Sequence, residues 1–227
     1  YANFNTGLGD GLEVELTKLF AKSLGVRYEF VESDWGPLVE DLIGRKITVR
    51  GGKAQLGEQT PVRGDIIANG FTILEWREQI IHFSIPTFPN QIWLAARADF
   101  PLRPIQPTKN TSRDIELTRR LMKGKSVLTI EKTCLDPHLY SLADTGAIIV
   151  NFPGKLNEVA PALIKKKADL AILDVPDALV ALEKWKGKIK ILGPVSGKQL
   201  MAAGFSKDSP KLLNAYNAFI RKAQSDG

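Results

Sequence analysis

The sequence predicts an α/β protein made of two lobes joined by two chain crossings. Strand and helix patterns alternate along most of the 227 residues, at spacings typical of βαβ units. The proline-rich stretch 101–107 is a change of composition of the kind found where a chain leaves one domain. A return crossing is expected near Gly193-Pro194. We therefore expect lobe I to comprise residues 1–94 and 195–227, and lobe II to comprise residues 95–194.

The composition excludes several classes of protein. Hydrophobic residues at 44% and charged residues at 25% are typical of a globular domain with its own core. No apolar run approaches the roughly 20 residues of a membrane-spanning helix. The start of the chain, Tyr1-Ala2-Asn3, lacks the basic and apolar segments of a signal peptide, as a mature exported protein also would. Cys134 is the single cysteine, so no internal disulfide is expected.

The net charge of +6 and the pI near 9.3 raise the question of an anionic macromolecular partner. The lysines are scattered, however, and many lie beside acids or at predicted helix ends. No basic stripe interleaved with aromatic residues is present. We therefore expect a solvated surface and no nucleic acid partner.

Lobe I is predicted to begin with an amphipathic helix, since apolar residues recur at helical spacing from Gly11 until Gly25 stops the pattern. A polar stretch with several glycines then predicts a long loop or ragged hairpin over residues 47–63. The predicted helices of this lobe are 11–24, 35–43 and 209–223, and the predicted strands are 26–31, 66–68 and 80–83. A further strand over residues 91–98 is predicted to run out of the lobe into the proline-rich stretch.

Lobe II shows the regular alternation that favours a mostly parallel sheet. The predicted strands are 126–130, 147–152, 168–173 and 188–192, with a turn at Gly193-Pro194. The predicted helices are 115–122, 136–143, 156–164 and 176–184. Ligands of open α/β sheets bind at the carboxyl ends of the strands, so we expect the functional residues there.

The segment 65–87 is the most informative part of the chain. It predicts a buried strand, a Gly-Phe-Thr turn at Gly70 to Thr72, a short helical turn with Arg77, and a second strand that ends in Phe-Ser-Ile-Pro. This order of parts resembles the ligand-clamping segment of periplasmic solute-binding proteins of the polar amino acid type (family 3). In that family the arginine binds a ligand carboxylate, and Arg77 occupies its position.

Other motifs extend the resemblance over nearly the whole chain. Gly-Leu-Glu-Val-Glu-Leu at 11–16 resembles the start of the family's first helix, with glutamates in place of aspartates. Residues 125–134 resemble the first strand and turn of the second lobe. Residues 168–174 resemble the strand whose last aspartate binds a ligand amine. The resemblance implies the type II periplasmic binding protein fold, in which two α/β lobes are joined by a two-crossing hinge.

Four departures from the family pattern are visible. The family's first strand would precede Tyr1, its short closing segment would follow Gly227, and residues 47–63 are longer than the usual connection. Leu74 replaces a threonine of the clamp, and Lys132 replaces a glycine of the second-lobe turn. These two substitutions affect the identity of the ligand more than the fold.

The clamp residues that the resemblance assigns to ligand binding are Gly70, Thr72 and Arg77. The planar guanidinium of Arg77 suits a carboxylate, although a surface ion pair with Glu75 or Glu78 is the alternative. Thr72 presents a hydroxyl and a backbone N–H, and its alternative role is the N-cap of the next helix.

Two further candidates lie in lobe II. Asp174 ends an apolar strand, where a carboxylate can bind a ligand ammonium group, and the alternative is an N-cap for the helix at Pro176. Thr133 precedes a predicted helix whose N-terminus would suit an anion, and capping is again the alternative. With Arg77 and Asp174 both assigned, the two lobes would hold opposite ends of a zwitterion and close around it.

Tyr1 and Trp35 are candidates for stacking against a ligand, although aromatic residues more often pack in a core. Cys134 is interpreted as a structural thiol, because neither His82 nor His138 lies in a catalytic motif. No metal-ligand spacing, P-loop or dinucleotide motif is present, so no metal and no cofactor are expected.

The resemblance implies a monomeric extracytoplasmic protein that passes an amino acid-like ligand to the membrane subunits of an ABC transporter. Two rival functions use the same fold. One is a cyclohexadienyl dehydratase-like lyase, which would need an acid such as Asp174 or Glu131 as proton donor. The other is the ligand-sensing domain of a larger receptor or transglycosylase.

Overall fold

The computed structural model describes residues 11–225 and divides into two compact units. The first unit comprises residues 1–89 and 200–227, and the second comprises residues 90–199. The chain therefore leaves the first unit once and re-enters it once. Two short strands at these points, β5 (Phe88–Asn90) and β11 (Gln199–Met201), pair with each other.

The first unit contains a three-stranded sheet of β3 (Ile66–Ile67), β4 (Ile81–Phe83) and β12 (Gly204–Ser206). β12 is central and antiparallel to both neighbours. Helices α1 (Leu12–Ser23) and α7 (Pro210–Ser225) supply Phe20, Tyr216 and Ile220 to the core beside this sheet. Phe20 and Tyr216 pack edge to face with ring centroids 5.0 Å apart, which is a favourable aromatic geometry.

A second apolar cluster of the first unit surrounds the predicted clamp. Helix α2 (Leu38–Ile43) places Val39 and Leu42 against Ile67, Phe71 and Ile81. Phe71 is fully buried and lies shortly before the short helix α3 (Glu75–Glu78). The segment that precedes Arg77 is thus held by the core of its own unit.

The stretch predicted as a loop or ragged hairpin is a β-hairpin of β1 (Arg45–Arg50) and β2 (Lys53–Gln59). Gly51 and Gly52 have φ of 55° and 74°, as the two-residue turn of type I′ requires. The side-chain amide of Gln79 bonds to the hairpin twice, since its Oε1 accepts from Ala54 N–H and its Nε2 donates to Gly52 O. The hairpin is thereby tied to the residue that follows α3.

The second unit is built on a five-stranded sheet of β6 (Ile92–Arg97), β7 (Ser126–Thr129), β8 (Ile148–Asn151), β9 (Leu170–Asp174) and β10 (Ile189–Pro194). The strand order in the sheet is β10-β6-β9-β7-β8. β9 pairs in parallel with β7, which pairs in parallel with β8, whereas β6 is antiparallel to both β9 and β10. The predicted mostly parallel sheet is therefore mixed.

Three helices pack around this sheet, namely α4 (Thr111–Arg120), α5 (Val159–Ile164) and α6 (Val175–Lys184). Asn110 caps α4 by accepting the Arg113 N–H, and Asp174 caps α6 by accepting the Asp177 N–H. All five residues of β9 are buried, as expected for a strand with a neighbour on each side.

The strand predicted over residues 26–31 is wrong. Within residues 11–225 this segment joins no sheet, and a strand without a hydrogen-bonded neighbour is not stable in water. Val26 and Phe30 are 57% and 37% exposed. The alternation of apolar residues over 26–31 therefore does not indicate a strand here, because a strand forms only when another segment of the chain supplies its hydrogen-bond partners.

Two further predictions need correction. Gly193-Pro194 belongs to β10 and is not a turn; a side chain at Gly193 would approach Thr118 Oγ1 to 2.2 Å, so glycine serves close packing there. The helix predicted over residues 136–143 is instead two 3₁₀ helices, Pro137–Tyr140 and Leu142–Thr145, separated by Ser141 with φ of 45°.

No helix in the described part of the chain is long and apolar enough to span a membrane.

Candidate functional site

The backbone around Thr72 is held by the segment that re-enters the first unit. Ile73 N–H donates to Leu200 O and Ala202 N–H donates to Phe71 O, so Thr72 and Met201 form an antiparallel pair. In such a pair the N–H and C=O of Thr72 point away from Met201. They face the side on which Arg77 lies, because the Thr72 carbonyl accepts a bond from Arg77 Nη1 at 2.7 Å.

Arg77 is buried, with only 1% of its surface exposed. Its guanidinium carbon lies 3.9 Å from the centre of the Phe71 ring and 5.3 Å from that of Trp76. These cation–π contacts and the bond to Thr72 orient the charged plane from within its own segment. The alternative surface ion pair with Glu75 or Glu78 is wrong, because the side chain does not lie on the surface.

Thr72 does not cap the following helix. The N-cap of α3 is Leu74, which makes no side-chain capping bond. The Thr72 side chain is buried at 1% exposure, beside the carbonyl that binds Arg77. The capping alternative is therefore wrong, and the ligand role of Thr72 stays a prediction.

Gly70 adopts a left-handed backbone conformation, with φ of 72°. Its N–H donates to Glu13 Oε2 at 2.6 Å, while Thr87 Oγ1 donates to Glu13 Oε1 at 3.3 Å. Glu13 is 1% exposed, and burial raises the pKa of its carboxyl group to about 7 against the opposing effect of these bonds. Gly70 is thus held by a buried carboxylate of α1.

Trp35 lies half-buried just before α2. Its ring stacks on Phe71 with centroids 6.4 Å apart and planes 23° apart. Trp35 therefore reaches the apolar cluster that supports the clamp, and a ligand contact by its exposed edge stays a prediction. Tyr1 lies outside the described residues.

Asp174 ends β9 and is only 5% exposed. Its Oδ1 accepts the Asp177 N–H at 3.0 Å, so the capping alternative is realised. Its Oδ2 lies 3.8 Å from the thiol of Cys134, which donates to it. The same carboxylate also stands at the carboxyl end of a central strand, which is the position expected for ligand binding.

The electrostatics at Asp174 differ from those of an ordinary capping aspartate. Burial raises the pKa of Asp174 to about 6, although the bonds from Asp177 N–H and Cys134 oppose this shift. Burial also raises the pKa of Asp177 well above its usual value, and the nearby charge of Asp174 adds to the effect. A cation placed here would favour the ionised form of both groups.

Thr133 is buried in the turn after β7, and its hydroxyl makes two local bonds. It donates to Ile130 O at 2.7 Å and accepts from Leu135 N–H at 2.9 Å. The long helix expected to begin here is absent, since Asp136 caps a single 3₁₀ turn at Pro137. The geometry that suggested an anion site is therefore not formed, and the ligand role of Thr133 itself stays a prediction.

Lys132 has a left-handed backbone conformation, with φ of 62°. The residue replaces a glycine in the family pattern, and the backbone nevertheless takes the conformation that favours glycine. Asp136 Oδ2 accepts its N–H at 2.8 Å and so helps to hold this turn.

Over residues 11–225 no three histidine, cysteine, aspartate or glutamate side chains are grouped so that they could hold a metal ion. The notable polar group that sequence reasoning missed is the Glu13 carboxylate. It was recognised only as part of a helix-start motif. The signal that could have found it is an acid on the apolar face of α1, one position before buried Val14.

No protein-family profile matches the sequence, and no curated protein matches it. Many solved structures do match. The arginine-bound form of a truncated ArgBP from T. maritima is 22% identical with a TM-score of 0.74, and the match covers 98% of this chain and 92% of that one.

Two other neighbours have the same architecture. The substrate-binding protein of an amino acid ABC transporter is 17% identical with a TM-score of 0.74, covering 96% of this chain and 83% of that one. The GluR0 ligand-binding core from Nostoc punctiforme, in complex with L-glutamate, is 18% identical with a TM-score of 0.68, covering 96% and 86%. At this identity the likeness shows the fold, which is the type II periplasmic binding protein fold that the sequence predicted.

Proposed function

We propose that this protein is an extracytoplasmic solute-binding protein that captures an amino acid or another small carboxylate for an ABC importer. The observation that carries the proposal is the buried guanidinium of Arg77, oriented by Phe71 and by the Thr72 carbonyl. The solved structures of similar fold support it, because those named above are ligand-binding proteins or ligand-binding domains.

The chemistry of Arg77 suits a carboxylate. A guanidinium presents donors in a planar fork, and a carboxylate can accept two parallel bonds from it. Its contacts with Phe71, Trp76 and Thr72 reduce the conformational freedom that would be lost on binding. Burial also strengthens the attraction between the two charges, since screening by water is weak there.

Asp174 is proposed to bind a ligand ammonium group from the second unit. Its carboxylate lies at the end of β9, and burial keeps its pKa near 6, so a bound cation would lower the cost of ionising it. The capping bond occupies Oδ1, while Oδ2 is the oxygen near Cys134. Thr72, Gly70 and Trp35 are proposed as further ligand-binding residues of the first unit, and Thr133 as one of the second unit.

The experiment that tests the proposal is titration calorimetry of the purified protein with L-arginine, L-glutamine and L-glutamate. We expect at least one to bind, and Arg77→Ala to weaken that binding on the order of 100-fold, as expected when bonds to a charged group are lost. Arg27→Ala is the matched control, because Arg27 belongs to the same unit and its side chain is 88% exposed. Undiminished binding by folded Arg77→Ala protein would reject the assignment.

A second candidate function is ligand sensing within a larger receptor. The observation that favours it is the match to a receptor's ligand-binding core, which covers 96% of this chain. The gene sequence on both sides of residues 1 and 227 distinguishes the two candidates. A signal peptide or lipoprotein signal favours the importer, and a membrane-spanning helix favours the sensor.

The lyase alternative has one supporting observation, which is the raised pKa of Asp174, since a carboxyl group with a pKa of about 6 can donate a proton near neutral pH. Incubation with prephenate or arogenate tests it directly. Release of carbon dioxide and water from either compound, abolished in Asp174→Asn, would establish the enzyme and displace the binding protein.

A further inference from the structure

Glu13 has an environment that its exposed neighbours in α1 do not share. The side chain lies in the first turn of the helix but is 1% exposed. Removing a carboxylate from water is costly unless hydrogen bonds compensate. Two such bonds are present, from Gly70 N–H at 2.6 Å and from the Thr87 hydroxyl at 3.3 Å. Both donors belong to segments distant from α1 in sequence.

The bonds of Glu13 close a hydrogen-bonded ring around the clamp, defined here as residues 70–77. Thr87 N–H donates to Met201 O at 2.9 Å. Met201 in turn pairs with Thr72, flanked by the bond from Ala202 N–H to Phe71 O. One arm of the ring joins Glu13 to Gly70 at the start of the clamp. The other arm joins Glu13 through Thr87 and Met201 to Thr72 in the clamp.

We propose that Glu13 is a positioning residue that fixes the clamp in its ligand-binding conformation through the Gly70 N–H. The expected effect of Glu13 on ligand affinity rests on the proposed function. Its expected effect on the backbone conformation of the clamp does not. Gly70 is at a left-handed φ of 72°, a conformation that a flexible glycine leaves easily. A change of backbone at Gly70 would be passed to Thr72, whose carbonyl orients Arg77.

If the side chain at position 13 only filled space in the core, an apolar residue would do so without the free-energy cost of burying a carboxylate. Tyr216 of α7 is a titratable group that interacts electrostatically with Glu13, and its pKa is raised by burial and by the Glu13 charge. The pKa of Glu13 itself is about 7. The Gly70 amide should therefore report ionisation of Glu13 directly, through the bond that joins them.

The test combines calorimetry with two-dimensional amide NMR on the full chain. In Glu13→Ala we expect the affinity for whichever of L-arginine, L-glutamine and L-glutamate the wild type binds to fall about tenfold or more. Glu13→Gln retains an acceptor oxygen and should recover most of the affinity. Glu15→Ala is the matched control, because Glu15 is an exposed glutamate in the same turn.

The NMR readout needs no ligand. We expect the amide resonances of Gly70 and Thr72 to move in Glu13→Ala, and the Gly70 resonance of the wild type to titrate with a midpoint near pH 7 that Glu13→Gln lacks. A folded Glu13→Ala protein with unchanged affinity and unchanged Gly70 and Thr72 resonances would overturn the proposal.

The remaining outcomes also decide it. If the wild type binds none of the three amino acids, the proposed function fails for these ligands, and the two amide resonances alone judge the role of Glu13. If Glu13→Ala does not fold, the pH titration of the Gly70 resonance in the wild type and in Glu13→Gln takes its place. A wild-type Gly70 resonance that does not titrate, or that titrates equally in Glu13→Gln, would then be the contrary result.

Discussion

Arg77 and Asp174 are both buried charged residues, one in each unit, and their partners are of different kinds. Arg77 is oriented by its own segment, through the Phe71 ring and the Thr72 carbonyl. Asp174 is bonded to the first turn of α6 and to Cys134. Asp174 caps the N-terminus of α6, whereas Arg77 lies within the short helix α3. The comparison teaches that burial alone does not separate a binding group from a structural one.

The two charges also respond differently to their surroundings. A guanidinium stays protonated at every pH of interest, so burial cannot neutralise Arg77. A carboxylate can take up a proton, and burial raises the pKa of Asp174 to about 6. The buried positive charge of Arg77 can therefore be compensated further by a bound anion. The negative charge of Asp174 can be compensated either by a bound cation or by taking up a proton.

The largest expected effect is the pH dependence of stability due to Asp174. Burial raises the pKa of Asp174 from the ordinary value of 3.8 to about 6, so the folded state holds the proton more tightly. Its contribution to stability is therefore greatest below pH 4, and about 3 kcal/mol is lost as the pH rises through 6. Asp174→Asn should be more stable relative to the wild type at pH 7 than at pH 4.

Urea denaturation of both proteins at pH 4, 5, 6 and 7 measures this difference. Asparagine is a good N-cap, so the substitution isolates the charge from the cap. The Glu13 pKa shift has the same direction but is present in both proteins, and it cancels in the comparison. The pKa shift of Asp177 does not cancel, because the Asp174 charge contributes to it; removing that charge lowers the Asp177 pKa and changes the pH dependence in the same direction. A difference in stability that is constant from pH 4 to pH 7 would contradict the prediction.

The next largest effect is expected for Arg77→Lys. Lysine keeps the charge but lacks the planar fork, so we expect affinity for a carboxylate ligand to fall by about 2 kcal/mol, or roughly 30-fold. Calorimetry with the ligand of the wild type measures this change. Arg27→Lys is the control for the chemistry of the substitution. An affinity equal to the wild type would show that Arg77 acts only as a point charge.

The smallest effect is expected for Gln79→Ala, which removes both bonds between the hairpin β1–β2 and the end of α3. These bonds are exposed, so we expect a loss of about 1 kcal/mol in the free energy of unfolding. The Ala54 amide should exchange faster with deuterium. Gln55→Ala, also exposed and in the same hairpin, is the control. Unchanged exchange at Ala54 would show that the hairpin is stable without Gln79.

The sequence predicted the elements with strong internal patterns. Helices α1 and α7 and strand β9 were found because their apolar residues recur at a fixed spacing. The strand predicted over residues 26–31 had a pattern of the same quality but lacks a partner in the described structure. Local spacing cannot reveal which distant segment, if any, supplies the hydrogen bonds of a strand.

The site shows the same division. The position of Arg77 followed from a motif, and its burial is found in the structure. The bond from Gly70 to Glu13 could not be predicted, because it joins residues 57 positions apart and depends on tertiary packing. The turn predicted at Gly193 is wrong for a related reason, since this residue lies in β10. Glycine marks a turn or a close approach equally well, and only the position of Thr118 distinguishes them.

The division of the first unit between the two ends of the chain has a consequence for biosynthesis. Its central strand, β12, comes after the whole second unit in the sequence, yet β3 and β4 both pair with it. On the ribosome, residues 90–199 are complete before β12 has been made. The second unit can therefore fold first. The apolar core residues of the first unit stay exposed in the nascent chain until β12 is synthesised, and such exposed apolar surface is prone to aggregation.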